Sequence, residues 1–89
     1  REAQYKDQYI EAVSMLGFHF MQRKIYAQAI PYLLKLNKYK SDVSIHLSLS
    51  SAYLSTQNND EAINYARRVL RIDPNNKDAK KILRSLSAD

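Results

Sequence analysis

Leucine recurs along this chain at an almost constant interval, and this spacing constrains the fold more than any other feature. Leu16 and Leu49 are 33 positions apart, and Leu49 and Leu83 are 34 positions apart. An alanine follows each of the first two leucines after 13 positions, at Ala29 and Ala62. Self-similarity at a fixed period of about 20–50 residues is typical of solenoids, in which each unit buries its apolar face by stacking on the next. The sequence therefore predicts a row of similar stacked units.

The apolar residues within each unit predict helices. In the leading segment, Tyr9, Val13, Leu16 and Phe20 recur at steps of three and four, which is the period of one helix face. We expect these four residues to form a core stripe. A second helix is predicted to begin near Tyr26, and three more follow the polar or proline-containing turns at residues 38–42, 58–60 and 73–76. Ser41 or Asp42 is expected to cap the third helix.

The composition removes the main alternatives to an all-α fold. One glycine and two prolines in 89 residues cannot supply the tight turns of a small β-sandwich or barrel. The absence of cysteine excludes a disulfide framework and a cysteine-ligated metal site. No apolar run approaches the length of about 18 residues that a membrane span needs. The formal net charge of +5 permits an acidic partner without requiring one.

The residues at the repeated offsets resemble the tetratricopeptide repeat family, whose pattern is W-x₂-L-G-x₂-Y, then A-x₃-F, then P. The first unit reads Val13-x₂-Leu16-Gly17-x₂-Phe20, then Ala29-x₃-Leu33, with Ser41 in place of the proline. The second unit reads His46-x₂-Leu49-Ser50-x₂-Tyr53, then Ala62-x₃-Ala66, then Pro74. Of the pattern's first half, the third stretch keeps only Leu83.

The resemblance implies an all-α, right-handed superhelical solenoid of antiparallel helix pairs, with five helices. Repeat one would span residues 10–42, repeat two residues 43–76, and a C-terminal capping helix residues 77–88. Residues 1–9 show no clear repeat. Since the chain begins with Arg1 and not with methionine, we expect it to be part of a longer protein. The family is a general protein-binding scaffold, so the resemblance also implies a non-catalytic role in protein–protein interaction.

Nothing in the sequence assembles a catalytic or cofactor site. Neither His19 nor His46 has a carboxylate or a second histidine at ligand spacing, so we expect no metal. His46 occupies the tryptophan position of the family pattern, which favours a packing role. The serines between residues 44 and 55 lack a neighbouring base and a group to orient it, and one glycine cannot form a phosphate-binding loop. We expect neither enzymatic activity nor a cofactor.

A second stripe on the first helix of each pair is the leading candidate for binding a peptide or partner segment, because in such a stack these helices line the concave side. We name its seven members the predicted groove: Ser14, Phe18, Met21, Leu47, Ser51, Leu54 and Lys81. The stripe would continue through Ser85 and Ala88. The alternative interpretation is that the apolar members contact neighbouring first helices as the edge of the core. A family variant that clamps the acidic C-termini of heat-shock chaperones uses lysine and asparagine on these stripes. Here Ser14, Phe18, Leu47 and Ser51 replace them, so we do not expect that ligand.

Two other surfaces remain open as alternatives. The first is a basic surface formed by Arg67, Arg68, Arg71, Lys80 and Arg84, which would suit an acidic protein or RNA. Cations near helix C-termini are stabilising by about 0.3–1 kcal/mol each, so these residues are also consistent with a solvated face. Two repeats would read only two bases, too few for a useful nucleic-acid site. The second alternative is a structural scaffold role, with assembly or self-association through the open N-terminal end around Tyr5 and Tyr9.

Overall fold

Residues 2–87 fold into five helices, as the sequence predicts. The computed structural model describes residues 2–87, with side chains from Tyr5 onward. The helices are α1 (Glu2–Gln22), α2 (Tyr26–Tyr39), α3 (Val43–Ser55), α4 (Asn59–Ile72) and α5 (Lys77–Ser85). Residues 2–87 contain no β-strand, so the all-α prediction is confirmed. The helix predicted for residues 77–88 ends at Ser85, and Ala88 lies outside the described residues.

The helices pack in chain order, as expected for a solenoid. The main contacts join α1 to α2, α2 to α3, α3 to α4 and α4 to α5, and α3 also contacts α5. The resulting body is elongated, with extents of 47 × 26 × 18 Å. No helix within residues 2–87 is long and apolar enough to cross a membrane.

The first helix of each pair ends in the same way. Lys24, Gln57 and Ser87 each lie two residues after a helix, with φ values of 61°, 64° and 53°. After α1 and α3, the next backbone N–H groups bond back to the carbonyls of Phe20 and Tyr53, at 2.9 and 2.8 Å. This left-handed residue with its backward hydrogen bond is the Schellman way of closing a helix. The repeat in the sequence is therefore also a repeat in backbone conformation.

Helices α3 and α5 begin at side-chain caps. Asp42 caps α3 by accepting a hydrogen bond from the Ile45 N–H at 3.0 Å, and Asn76 caps α5 by accepting from the Ala79 N–H at 2.9 Å. Such caps satisfy backbone donors that have no partner inside the helix. Of the two candidates for the α3 cap, Asp42 is the residue used. Ser41 instead places its hydroxyl 2.9 Å from Nε2 of His46.

Small residues lie where the helices of each pair cross. Ala29 and Ala62 are both completely buried. Gly17 lies so close to α2 that an added Cβ would stand 3.2 Å from Cδ2 of Leu33. At the equivalent position in the second pair, Ser50 is fully buried and donates a hydrogen bond to the Ala62 carbonyl at 2.7 Å. The serine therefore joins α3 to α4 through this bond.

The predicted core stripe of α1 is wrong for two of its four residues. Val13 is buried, but Leu16 is 39% exposed and Tyr9 is 42% exposed. The equivalent leucines, Leu49 and Leu83, are 0% and 4% exposed, because each packs in a cluster with residues of the preceding second helix. No helix within residues 2–87 covers α1 in the same way. Helical periodicity identifies an apolar face, but it does not tell whether a neighbour covers that face.

Candidate functional site

The predicted groove lies at the edge of the core. Its six members on α1 and α3 are all partly buried, and Lys81 on α5 is exposed. Phe18 and Met21 pack against a core cluster that includes Val13, Leu33 and Leu49. Leu47 and Leu54 pack against a second cluster, formed by Ala66, Val69, Ala79, Ile82 and Leu83. The four large apolar side chains thus form two pairs, each with one side on the core.

This partial burial limits what a ligand can gain from the groove. Complete burial of a leucine, phenylalanine or methionine side chain is worth about 1.5–3 kcal/mol. Because Phe18, Met21, Leu47 and Leu54 already contact the core, a ligand would gain only a fraction of that free energy from each of them. All six positions of the predicted groove on α1 and α3 nevertheless stay partly accessible. The two helices therefore present the same kind of surface to a ligand.

The basic residues do not act as one uniform surface. Arg67 and Arg71, on the same side of α4, line a cavity of about 330 Å³ together with Asp60, Ile63 and Asn64. Arg68 instead lies over the ring of Tyr65, with its guanidinium carbon 4.9 Å from the ring centroid. Lys80 and Arg84 are exposed on α5. Arg71 and Arg84 lie in the last turns of their helices, where the helix dipole favours a positive charge.

His46 is packed between helices, as its place in the repeat suggests. Its side chain is 5% exposed, its ring centroid lies 5.9 Å from that of Tyr65, and its Nδ1 atom is buried with no hydrogen-bond partner. Burial is the main cause that lowers the pKa of His46, and the nearby Arg68 charge lowers it further, while Asp42 partly opposes the shift. Residues 5–87 contain no group of three or more histidine, aspartate or glutamate side chains that could hold a metal ion.

An aromatic cluster forms where the start of α1 meets the end of α2. Tyr5, Lys6, Tyr9 and Tyr39 line an open, largely apolar cavity of about 530 Å³. The Tyr9 and Tyr39 rings meet edge to face at 5.8 Å, and the Lys6 ammonium lies 5.4 Å from the Tyr39 centroid. The sequence drew attention to Tyr5 and Tyr9 but not to Tyr39. Because α1 and α2 pair antiparallel, the end of α2 lies beside the start of α1. This pairing would have predicted that Tyr39 lies beside Tyr5 and Tyr9.

A second exposed apolar surface lies on α1, and the sequence did not identify it as a site. Ala12, Met15, Leu16 and His19 line an open concavity of about 460 Å³, and we name these four residues the outer face of α1. Met15 is 66% exposed. The residues 33 positions after Ala12, Leu16 and His19 are buried in α3. The repeat interval could therefore have indicated that this face of α1 is a surface for another helix.

Comparison with known protein families finds a match that covers the second helix pair. Residues 43–76 match the family model of the tetratricopeptide repeat, and these bounds coincide with the predicted repeat two. They also contain all of α3 and α4. No curated protein and no solved structure matches the chain significantly.

Proposed function

Because residues 43–76 match the family model of the tetratricopeptide repeat, and because the five helices of residues 2–87 are consistent with such repeats, we propose that this chain binds a peptide or partner segment in the predicted groove. Proteins of this family are generally protein–protein interaction modules and generally non-catalytic. The observation that carries the proposal is the incomplete burial of all six equivalent groove positions on α1 and α3. The core positions of α3, such as Leu49 and Ala52, are by contrast completely buried.

The chemistry of the groove suits an apolar or amphipathic ligand. Phe18, Leu47 and Leu54 supply apolar surface, and the flexible Met21 side chain adapts to different shapes. Ser14 and Ser51 supply hydroxyl groups between these residues, and Lys81 supplies an exposed positive charge at one end. A ligand with apolar anchors and an acidic residue near one end fits this arrangement. Because each apolar residue is already partly buried, we expect a moderate affinity.

The test is to obstruct the groove without disturbing the core. Ser51 is partly accessible between Leu47 and Leu54, so Ser51→Arg introduces a large side chain into the groove. Asn64→Arg is the matched control, because it adds the same side chain at an exposed position of α4. Ligands selected from a displayed peptide library on the unaltered chain are titrated against all three proteins. Circular dichroism verifies that both variants keep their helix content.

The salt dependence of binding separates the groove from the basic surface. Ligands held by the groove should bind Asn64→Arg normally, bind Ser51→Arg at least about tenfold more weakly, and retain their affinity at high salt. Binding that is unchanged in Ser51→Arg contradicts the groove. If binding also collapses at high salt, charged contacts dominate. Charge reversal of Arg67 and Arg71, which share one cavity, then tests the basic surface.

A further inference from the structure

In the second helix pair, residues equivalent to the outer face of α1 are covered by another helix of this chain. The residues 33 positions after Ala12 and Leu16 are Ile45 and Leu49 on α3, which are 2% and 0% exposed. Both belong to a core cluster with Leu33 and Leu36 of α2, so α2 covers this stripe.

The same cover recurs on the last helix. Ala79 and Leu83 on α5 lie 34 positions after Ile45 and Leu49. They are 0% and 4% exposed, and they pack in one cluster with Ala66 and Val69 of α4. Twice within this chain, therefore, a neighbouring helix covers the positions equivalent to Ala12 and Leu16, which α1 leaves open. The consecutive helices involved are joined by short turns and run antiparallel. The outer face of α1 thus has the shape and chemistry of a surface that accepts an antiparallel helix.

The start of α1 bears on where that helix comes from. Residues 40–42 form the turn that joins α2 to α3, and the equivalent residues 7–9 are helical. Helix α1 continues back to Glu2, which extends it by about 12 Å beyond the point where this turn would end. A helix that covered α1 in the way that α2 covers α3 could not be joined to α1 by a short turn at the same position. A covering helix from the same polypeptide would therefore need a longer connection, whereas a helix from a separate polypeptide needs none.

The outer face is complementary to itself. In an antiparallel arrangement with a two-fold axis between Met15 and Leu16, these two residues face each other, and the small Ala12 faces the larger His19. Arg23, one turn beyond His19, falls opposite the uncharged Gln8. The arrangement therefore pairs a small residue with a larger one on both sides of the axis, and it brings no like charges together along the contact. A second copy of the chain therefore fits this face both in side-chain size and in charge.

We propose that a second copy of this chain docks antiparallel on the outer face of α1 and forms a symmetric dimer. The contact buries the two most exposed aliphatic side chains of the mid-α1 surface, Met15 and Leu16. One helix face per copy is smaller than a standard interface of about 1,600 Å². The dimer is therefore weak and dissociates on dilution. It uses none of the predicted-groove residues, so its failure would leave the proposed function untouched.

The first test follows the mass of the full chain by sedimentation equilibrium over a wide concentration range. The unaltered chain should show a reversible monomer–dimer equilibrium. Leu16→Glu should raise the dimer dissociation constant by at least about tenfold. Ile72→Glu is the matched control, because Ile72 is also a large exposed aliphatic residue, at 57%, but lies at the end of α4. A chain that stays monomeric throughout overturns the proposal. A dimer that Leu16→Glu does not weaken overturns it equally.

Disulfide crosslinking tests the antiparallel register, because the chain has no cysteine of its own. Ala12 of one copy faces His19 of the other, whereas two copies of either residue lie about 10 Å apart along the helix axis. A disulfide requires Cα atoms within about 7 Å of each other. An equal mixture of Ala12→Cys and His19→Cys should therefore form a crosslinked heterodimer on mild oxidation, and each variant alone should crosslink far less. Crosslinking that is no faster in the mixture than in the single variants contradicts this arrangement. Circular dichroism of each variant controls for loss of helix.

Discussion

Leu16 and Leu49 occupy the same repeat position but differ in burial, and truncating each to alanine measures what the preceding helix contributes. Leu49 is completely buried, so Leu49→Ala removes three buried carbons and leaves a cavity. Such substitutions in packed cores cost about 3–5 kcal/mol. Leu16 is 39% exposed, so Leu16→Ala loses only part of the transfer free energy of those carbons and opens to water instead of enclosing a void. We expect a cost of about 1–1.5 kcal/mol.

Thermal unfolding followed by circular dichroism, at concentrations low enough for the chain to be monomeric, checks this difference. For a domain of this size, each kcal/mol shifts the melting temperature by about 4–8 °C. Leu49→Ala should therefore lower it by about 12 °C or more, or abolish the folded state, and Leu16→Ala by no more than about 12 °C. Equal losses at the two positions would refute the reasoning, since they would mean that Leu16 is covered in the isolated chain.

Two further predictions concern the helix crossings and the buried histidine. Ala62→Leu should overpack the α3–α4 crossing and cost about 1–3 kcal/mol in urea unfolding, and an unchanged midpoint would contradict the close approach at this position. Because burial and the Arg68 charge lower the pKa of His46 in the fold, the unfolded chain binds the additional proton first as the pH falls. The free energy of unfolding should thus decrease from about pH 7, through the unfolded value near 6.5, and level off below the pKa of the folded state. His46→Phe should reduce this dependence, and an unchanged slope would show that another group causes it.

The architecture was predictable because the repeat signals are local and redundant. The leucine intervals of 33 and 34, the alanines at the crossings and the polar turns each point to the same helix pairs. Even the left-handed residues Lys24 and Gln57 stand 33 positions apart, although neither is the glycine that usually marks such a position. Side-chain pattern and backbone geometry therefore agree across both pairs.

The degree of burial was less predictable, because it depends on neighbours that periodicity does not identify. Leu16 and Leu49 are indistinguishable in the sequence pattern, yet only Leu49 has a helix over it. Similarly, the sequence placed Phe18 and Leu54 either in a binding groove or at the edge of the core, and the structure places each against a core cluster with part of its surface accessible. Tyr39 joined the aromatic cluster through the pairing of α1 with α2, which is a contact between residues distant in sequence.

Methyl-resolved NMR of the chain, titrated with a peptide selected for binding, tests the predicted groove most directly. The methyl groups of Met21, Leu47 and Leu54 should shift or broaden on addition of the peptide. Those of Ile63 and Leu70, which are also partly buried but lie on α4, should not change and serve as internal controls. Perturbations confined to α4 and α5, or to Met15 and Leu16, would contradict binding in the groove and would place the ligand on one of the other surfaces.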